Sequence, residues 1–445
     1  MNALIFAIVL IDVGANAINN SSYYSQLHKH SWQVNDDGHY NSIFDAYTDI
    51  TTSELISPGD SWGVSHNRIP NYDQTFTQDM IDTLNARPKA SSDFATGKTT
   101  AEAGEYYVWG DDIGYNGCDG YWPPGPECPE SASIGVTFNL NPADEDTDNG
   151  DGCYIGLGAA GYFVNGASIY GLSDGLTYNN KGYFQNVAAT FEEYDLDVCN
   201  GHAANSDYHH HHYPVCLQAA LGDDMDSRAA AIASAVGDNG NGNSVGAGHS
   251  PIYGWLFDSY PIYGPYNDAA NTLATPCWQK RDYSPSSATG CSDDQRSCVL
   301  VDPYDYTKGT ETLASADLYG PDLDAEITTQ SGNAITASAG IYFQDYFYNS
   351  SCFDQQLQGE QSQQHYLDAY NGHSHGDYGY HYHVTLESDV QKIAAFPYFV
   401  GPKFRGCLSA TDTASGAQAG SCCSSISAGG QQCTSTSKCS TTTST

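Results

Sequence analysis

The sequence predicts a mainly β, disulfide-bonded protein with long loops and a few short helices. From Ile134 onward, short apolar runs alternate with Gly, Asn and Asp, a pattern typical of short strands that end in turns. Long amphipathic periods are scarce, so we expect few helices. Two groups of motifs recur in the same order along the chain, which predicts an internally duplicated β domain with a pseudo-two-fold axis.

The composition excludes several classes of partner. Lys and Arg number 15 and Asp and Glu number 53, which gives a formal net charge of −38. Such a surface repels nucleic-acid phosphates and lacks basic patches for anionic lipid. We therefore expect no nucleic acid, and divalent cations or cationic surfaces instead. Acidity alone can indicate disorder, but 34 Tyr, 15 Phe and 6 Trp can form a core.

Residues 1–17 predict a secretory signal peptide. A short apolar run ends in Ala15-Asn16-Ala17, although no basic residue precedes it. The run is too short to span a bilayer, and no other stretch has the pattern of a membrane span. If the segment is retained, its apolar strand could pair with the sheet edge of a neighbouring subunit in an oligomer or filament.

Residues 18–134 read as a mixed segment that leads into the main domain, residues 135–408. Residues 106–109 predict a strand, residues 79–84 a helix, and the proline-rich residues 120–129 a loop. Inside the main domain, residues 229–236 are the clearest helix candidate.

An acidic loop at residues 141–152 is a candidate calcium site. Asp144, Asp146 and Asp148 have the alternate spacing of calcium ligands. Asn149 stands where an EF-hand has Gly, and no Glu follows at the twelfth position, so an EF-hand is not predicted. The alternative is a solvated acidic turn.

The stretch at residues 371–383 concentrates imidazoles. Side chains alternate across a strand, so Tyr380 and Tyr382 would lie on one face and the histidines on the other. A turn at Gly376 and Gly379 could bring two His-x-His pairs together, which suits copper, zinc or nickel. The alternative is a tyrosine-rich strand with solvated or backbone-bonded histidines. The stretch holds four of the 15 histidines: His373, His375, His381 and His383.

An earlier stretch repeats this pattern. Residues 197–202, with the run at 208–212, resemble residues 368–373 and the following Tyr-His-Tyr-His. The equivalent candidate ligands are His202, His209 and His211.

A second pair of motifs, residues 164–171 and 257–264, recurs in the same order. We therefore expect duplicated halves, about residues 160–217 and 252–407, whose histidine strands lie side by side and share one copper or zinc centre.

Two carboxylates adjoin these motifs. Asp258 and Asp368 either cap turns through their side chains or orient an imidazole as hydrogen-bond acceptors. Tyr380 and Tyr382 are the other candidate supports of the ligands.

The 14 cysteines, an even number, predict an oxidising compartment. Candidate bridges are Cys118–Cys128, Cys199–Cys216, and one or two among Cys277, Cys291 and Cys298. N-glycosylation acceptors stand at Asn19, Asn20 and Asn349. The Ser/Thr/Cys-rich tail, residues 409–445, has too little apolar content for a core. We expect a disordered tail, an O-glycosylated stalk or a cysteine-linked assembly segment.

Three motifs resemble the YHYH domain family of secreted proteins, and residues 64–71 resemble the start of that domain. The motifs are residues 258–266, 371–383 and 396–407. In the earlier histidine stretch, His210 replaces the second tyrosine. The resemblance covers roughly residues 60–408. It implies a secreted, histidine-rich domain and leaves its chemistry open.

Three functions fit the sequence. The first is a non-catalytic, secreted or cell-surface glycoprotein with a metal-binding Tyr/His cluster and a structural or assembly role. The second is a copper- or zinc-dependent extracellular enzyme, although no H-E-x-x-H or G-x-S-x-G motif is present. The third is carbohydrate or cell-wall binding through Trp109, Trp122 and Trp255.

Overall fold

The computed structural model covers most of the main domain and parts of the segments on either side. It describes residues 45–47, 61–70, 72–86, 102–108, 129–130, 132–139, 142, 153–229, 248–268, 271–329, 332–357, 365–374, 378–391, 393–415, 419–423 and 433–434. Residues 1–17, the acidic loop with Asp144, Asp146 and Asp148, and the sites Asn19, Asn20, Cys118, Cys128 and His375 lie outside this part of the chain.

Short strands dominate the described residues. The strands are β1 Asp45–Tyr47, β2 Ser61–His66, β3 Asp73–Thr75, β4 Tyr106–Val108, β5 Ile134–Asn139, β6 Tyr154–Ile155, β7 Ala159–Phe163, β8 Ser168–Tyr170, β9 Ser173–Thr177, β10 Gln185–Val187, β11 His202–Ala204, β12 Asp207–His210, β13 Ile252–Leu256, β14 Pro261–Tyr263, β15 Thr275–Pro276, β16 Trp278–Lys280, β17 Cys298–Leu300, β18 Thr310–Thr312, β19 Glu326–Thr328, β20 Ala334–Thr336, β21 Tyr346–Tyr348, β22 Tyr366–Leu367, β23 Gly372–Ser374, β24 Tyr380–His383, β25 Leu386–Ser388, β26 Ile393–Ala394, β27 Thr411–Asp412, β28 Cys422–Cys423 and β29 Cys433–Thr434.

The described helices are short. The α-helices are α1 Gln78–Ala86, α2 Ala188–Phe191, α3 Val215–Ala220 and α4 Ser350–Leu357. Single 3₁₀ turns occupy Tyr178–Asn180, Glu193–Asp195, Tyr306–Lys308, Ala316–Leu318 and Phe343–Asp345. None of these described helices has the length and apolar character needed to cross a bilayer.

The predicted mainly β class with few short helices is confirmed, with 33% strand and 16% helix among the described residues. Helix α1 contains the predicted helix at 79–84; the Thr77 hydroxyl accepts a hydrogen bond from the Met80 amide (3.2 Å) at its start. Strand β4 confirms the strand predicted from Tyr106. Most of the predicted helix at 229–236 and of the loop at 120–129 lies outside the described residues.

One eight-stranded sheet forms the centre of the domain, in the order β11-β12-β8-β7-β13-β14-β24-β23. In one half, β7 and β8 form an antiparallel hairpin, β12 pairs parallel to β8, and the edge strand β11 pairs antiparallel to β12. In the other half, β13 and β14 form the hairpin, β24 pairs parallel to β14, and the edge strand β23 pairs antiparallel to β24. Antiparallel pairing of β7 with β13 joins the halves.

The register also corresponds between the halves. Ile169 of β8 lies opposite His210, and Ile262 of β14 lies opposite Tyr382. A register shift interrupts each hairpin just before a glycine, Gly161 in β7 and Gly254 in β13. A Cβ on either glycine would collide with a main-chain carbonyl oxygen of the other central strand. The close approach of β7 and β13 therefore requires glycine at both positions.

The predicted adjacency of the two histidine strands is wrong. Strands β8, β7, β13 and β14 lie between β12 and β24. Each histidine strand pairs with the second strand of its own hairpin, so the hairpins fill the centre and the histidines lie towards opposite edges of the sheet. The chain therefore carries two separate histidine clusters.

A small apolar cluster, separate from the main core, lies against a buried ion pair. Phe184, Phe191 and Tyr342 belong to its core. Beside it, the Arg296 guanidinium donates to both carboxylate oxygens of Asp345 at 2.8 and 3.0 Å, and both side chains are fully buried. This bidentate pair connects the loop before β17 to the 3₁₀ turn before β21.

Four disulfides lie within the described residues. The predicted Cys199–Cys216 bridge is confirmed, and Cys291 bonds to Cys298. Cys291–Cys298 is thus one of the bridges expected among Cys277, Cys291 and Cys298, whereas Cys277 bonds to Cys352, which lies 75 residues further along the chain. The fourth bridge, Cys153–Cys422, connects the tail to the main domain.

The described pieces of the tail are folded. Strand β27 pairs with β5, β28 pairs with β6, and β29 pairs with β28. The expectation of a disordered tail is therefore wrong for these pieces, because main-chain pairing, a disulfide and the burial of Ala410 and Cys422 in the core hold them.

We expect Gly254→Ala to lower the free energy of unfolding by about 2 kcal/mol or more, since its methyl group would overlap the carbonyl oxygen of Tyr162. Urea denaturation followed by intrinsic fluorescence measures this. Gly248→Ala is the matched control, because a Cβ there meets no atom within 4 Å. Equal midpoints for the two variants would contradict the close packing of the central strands.

Candidate metal centres

Three histidines and a glutamate form the first centre. His202 on β11 lies opposite His209 on β12, and their Nε2 atoms are 2.9 Å apart. His211, just after β12, places its Nε2 3.1 Å from that of His209. Glu192, which follows α2, brings Oε2 to 3.2 Å from His202 Nε2 and 3.0 Å from His211 Nε2. These four donor atoms lie within 4.8 Å of one another.

Four histidines form the second centre. His373 on β23 lies opposite His381 on β24. The Nε2 of His383 is 3.2 Å from that of His373, and the Nε2 of His381 is 3.1 Å from that of His249, which precedes β13. These donors also lie within 4.8 Å of one another.

The same turn builds both edge strands. Asp197 accepts hydrogen bonds from the amides of Cys199 and Gly201 (2.8 and 3.0 Å) and from the Tyr208 hydroxyl (2.6 Å). A positive φ of 62° at Asn200 completes the turn, and a Cβ at Gly201 would overlap the Tyr208 ring. The Asp-x-x-Asn-Gly-His sequence therefore places His202 against β12.

The later turn is equivalent. Asp368 accepts from the amides of Tyr370 and Gly372 (2.9 and 3.1 Å) and from the Tyr380 hydroxyl (3.0 and 3.1 Å to its two oxygens). Asn371 has a φ of 73°, and a Cβ at Gly372 would overlap Tyr380. The turn places His373 opposite His381.

Main-chain carbonyls orient most of the ligand rings through Nδ1. His209 and His381 each bond to the carbonyl two residues earlier, at 2.8 and 2.9 Å. His211 bonds to Gly171 O at 2.7 Å, and His383 bonds to Gly264 O at 2.6 Å. His249 Nδ1 bonds to Ser250 O at 2.9 Å.

These contacts fix the tautomers. A carbonyl oxygen only accepts, so each of these Nδ1 atoms carries the hydrogen, and in a neutral ring Nε2 then has a lone pair. The facing Nε2 atoms of His209 and His211, and of His249 and His381, are therefore pairs of acceptors about 3.1 Å apart. A tetrahedral ion with metal–nitrogen bonds of about 2.0–2.1 Å separates its donors by about 3.3 Å, close to this spacing.

The first centre contains two carboxylates. Asp195 Oδ1 lies 2.7 Å from His202 Nδ1, and both residues are buried. Burial opposes charge on His202, but Asp195 and Glu192 together raise its pKa to about 10. Burial, together with the neighbouring His202 and His211, lowers the pKa of His209 well below its usual value. The two carboxylates thus contact both ring nitrogens of His202.

Asp258 and Asp368 support the strands without contacting an imidazole. Asp368 caps the turn before β23. Asp258 accepts from the Tyr382 hydroxyl (2.5 Å) and the Gly406 amide (3.0 Å). Tyr380 and Tyr382 thus use the strand face opposite the ligand histidines, as the alternation predicts. Of the two roles considered for these carboxylates, the structure shows capping and tyrosine binding.

Six of the seven sequence-predicted ligands form two groups of three, and the seventh, His375, lies outside the described residues. Each group gains one residue that the sequence did not identify. Glu192 lies in an acidic run with no ligand spacing, and His249 is a lone histidine after a Gly/Asn-rich stretch. No local sequence pattern marks either residue as a ligand, because each lies in a segment that connects strands and reaches the sheet only through the folding of that segment. Asn349, the described glycosylation candidate, accepts from the Ser351 amide (3.2 Å) at the start of α4.

A disulfide-bonded β domain with paired histidine clusters is the class that fold and site define. Residues 136–355 match the family model described as YHYH protein, so the chain carries a YHYH domain. The match is narrower than the resemblance expected from the motifs. It includes the first centre and His249 and ends before β23 and β24. Neither the curated proteins nor the solved structures provide a match to the chain.

We expect Asp258→Asn to flatten the pH dependence of stability. Burial raises the pKa of Asp258 to about 6, with Tyr382 and the Gly406 amide opposing the shift. The folded state therefore holds this proton more tightly than the unfolded chain. The associated stability is present below about pH 4 and is lost as pH rises to about 6, up to about 3 kcal/mol.

Asparagine keeps an oxygen acceptor there, and Asn165 occupies the corresponding position in the other hairpin. Unfolding free energies of wild type and variant, measured from pH 4 to pH 7, test this. The exposed Asp317→Asn is the control. An unchanged slope would show that Asp258 does not titrate in this range.

Proposed function

We propose that this chain is an extracellular, non-catalytic domain that binds two transition-metal ions, one at each histidine centre, and uses them to hold its fold together. The observation that carries the proposal is the convergence of imidazole Nε2 lone pairs, oriented by carbonyl contacts at Nδ1, on two buried points of one sheet.

A metal ion fits this arrangement better than a shared proton. A proton between two nitrogens satisfies one contact, whereas His209 Nε2 faces both His202 and His211 at once. An ion bound by four donors satisfies all of the contacts together. The rival occupant is a protonated, hydrogen-bonded histidine network, which metal analysis distinguishes.

The donors favour copper or zinc. Imidazole suits both ions, and copper(II) has the higher intrinsic affinity. Calcium prefers about six to eight oxygen ligands, while each centre offers at most one carboxylate among its four donor residues. Calcium binding by the acidic loop with Asp144, Asp146 and Asp148 is a separate prediction that concerns neither histidine centre.

Burial supports a structural role. The ligands on the sheet are between 0% and 4% exposed: His202, His209, His211, His373, His381 and His383. Structural zinc sites have four protein ligands, whereas catalytic sites keep one position open. In each centre an ion would connect an edge strand to a ligand from a distant connection. The rival metalloenzyme would need substrate access to such an open position.

We also infer that the sheet arose by internal duplication. Residues 159–171 correspond to 252–264 in strand boundaries, the register shift and the final glycine, whose carbonyl binds His211 or His383. The Asp-x-x-Asn-Gly-His turns correspond in the same way. The proposed two-fold axis passes between β7 and β13.

The disulfides support an extracellular location, since such bonds persist in oxidising compartments. Self-assembly into an oligomer or filament and glycan attachment at Asn349 stay predictions. Mass measurement of the secreted protein under native and deglycosylated conditions would check both.

We expect natively purified protein to contain about two copper or zinc ions per chain by elemental analysis. The double variants H209A/H211A and H381A/H383A should each lose one ion, because each removes two donors from one centre. His365→Ala, outside both centres, is the control. Metal-free native protein with wild-type stability would overturn the proposal.

We expect chelation to lower the melting temperature. A ligand that binds only the folded state at about 1,000 times its dissociation constant stabilises it by about 4 kcal/mol. Calorimetry before chelation, after chelation and after metal is restored measures the effect. An extracellular enzyme would instead lose a redox or hydrolytic activity on chelation with little change in melting temperature.

A further inference from the structure

Each centre contains three equivalent imidazoles, and the two centres differ in the fourth ligand. His202 on β11 and His209 on β12 occupy the same positions as His373 on β23 and His381 on β24, and His211, just after β12, corresponds to His383 at the end of β24. The fourth donor of the first centre is the Glu192 carboxylate, and that of the second is the His249 imidazole. The first centre also has Asp195 behind His202.

Building on the proposed metal binding, we propose that Glu192 and Asp195 make the first centre selective for doubly charged cations. Glu192 approaches two ligand nitrogens directly, at 3.0 and 3.2 Å. Asp195 contacts only the far nitrogen of His202, at 2.7 Å, so it contributes charge without occupying a coordination position. Two carboxylates balance the charge of one divalent ion.

The charge balance between the carboxylates and the ion affects affinity because the site is largely buried. His202, His209 and Asp195 are 3%, 1% and 1% exposed and the Glu192 side chain is 23% exposed, so solvent screens the ion only in part. Interaction energy is proportional to the product of the charges, so each carboxylate attracts a divalent ion twice as strongly as a monovalent ion at the same position. Removal of one negative charge should therefore reduce the logarithm of the affinity for a divalent ion by twice as much as that for a monovalent ion.

The test uses isosteric variants and two probe ions, Zn²⁺ and Ag⁺. Glu192→Gln and Asp195→Asn remove charge and keep an oxygen in place. Both are made in the H381A/H383A chain, so that binding reports the first centre alone. We expect each variant to lose about tenfold in Zn²⁺ affinity and about threefold in Ag⁺ affinity, by competition titration. Asp317→Asn should change neither.

Equal losses for the two ions would overturn the inference, since Glu192 and Asp195 would then act as shape or hydrogen-bonding groups. Absence of Zn²⁺ binding to the H381A/H383A parent, with its fold intact by circular dichroism, would instead overturn the metal-binding proposal. If that parent does not fold, the wild-type chain serves. There, Glu192→Gln and Asp195→Asn should weaken one of two Zn²⁺ binding steps and leave the other unchanged. If each substitution weakened both Zn²⁺ binding steps, or neither, the assignment of Glu192 and Asp195 to the first centre would be wrong.

Discussion

The hydrogen bond from an imidazole Nδ1 to a main-chain carbonyl is the constraint on which both centres depend. The carbonyls that hold His211 and His383 belong to Gly171 and Gly264, the residues that directly follow β8 and β14. Parallel pairing of each histidine strand with its hairpin brings ring and carbonyl together. The sheet thus determines the tautomer, and the tautomer leaves Nε2 as the donor available to an ion. A change in strand register would remove the ligands and not merely move them.

Local patterns in the sequence predicted the parts of the site that are local in the structure. Alternation along β24 places His381 and His383 on one face and the tyrosines on the other, and the Asp-Asn-Gly-His turns recur as the repeat indicated. Glu192 and His249 could not be found in this way, because their positions depend on how connections fold over the sheet edges. The Cys277–Cys352 bridge was missed for the same reason: sequence spacing favours near neighbours, whereas pairing depends on distance in the folded chain.

The error in strand order has a specific cause. A sequence repeat predicts that two units have similar structures, but it does not predict which strands of the two units pair with each other. In this sheet the units meet through β7 and β13, where Gly161 and Gly254 permit close main-chain approach. Had the units met through their histidine strands, one shared cluster would have formed. Two glycines in the hairpins, and not the histidine motifs, therefore account for the presence of two centres.

The acidic composition also has a structural component that net charge alone does not reveal. Asp197, Asp258 and Asp368 are buried or partly buried turn caps whose oxygens accept main-chain amides and tyrosine hydroxyls. Asp345 and Asp223 pair with buried arginines. Two acids are directed at histidines: Asp195, which is buried, and Glu192, whose side chain is 23% exposed. A carboxylate shielded from water that accepts no amide or hydroxyl hydrogen bond needs a positive partner. The metal ion proposed for the first centre would supply that charge, which connects the unusual composition of the chain to the chemistry proposed for its site.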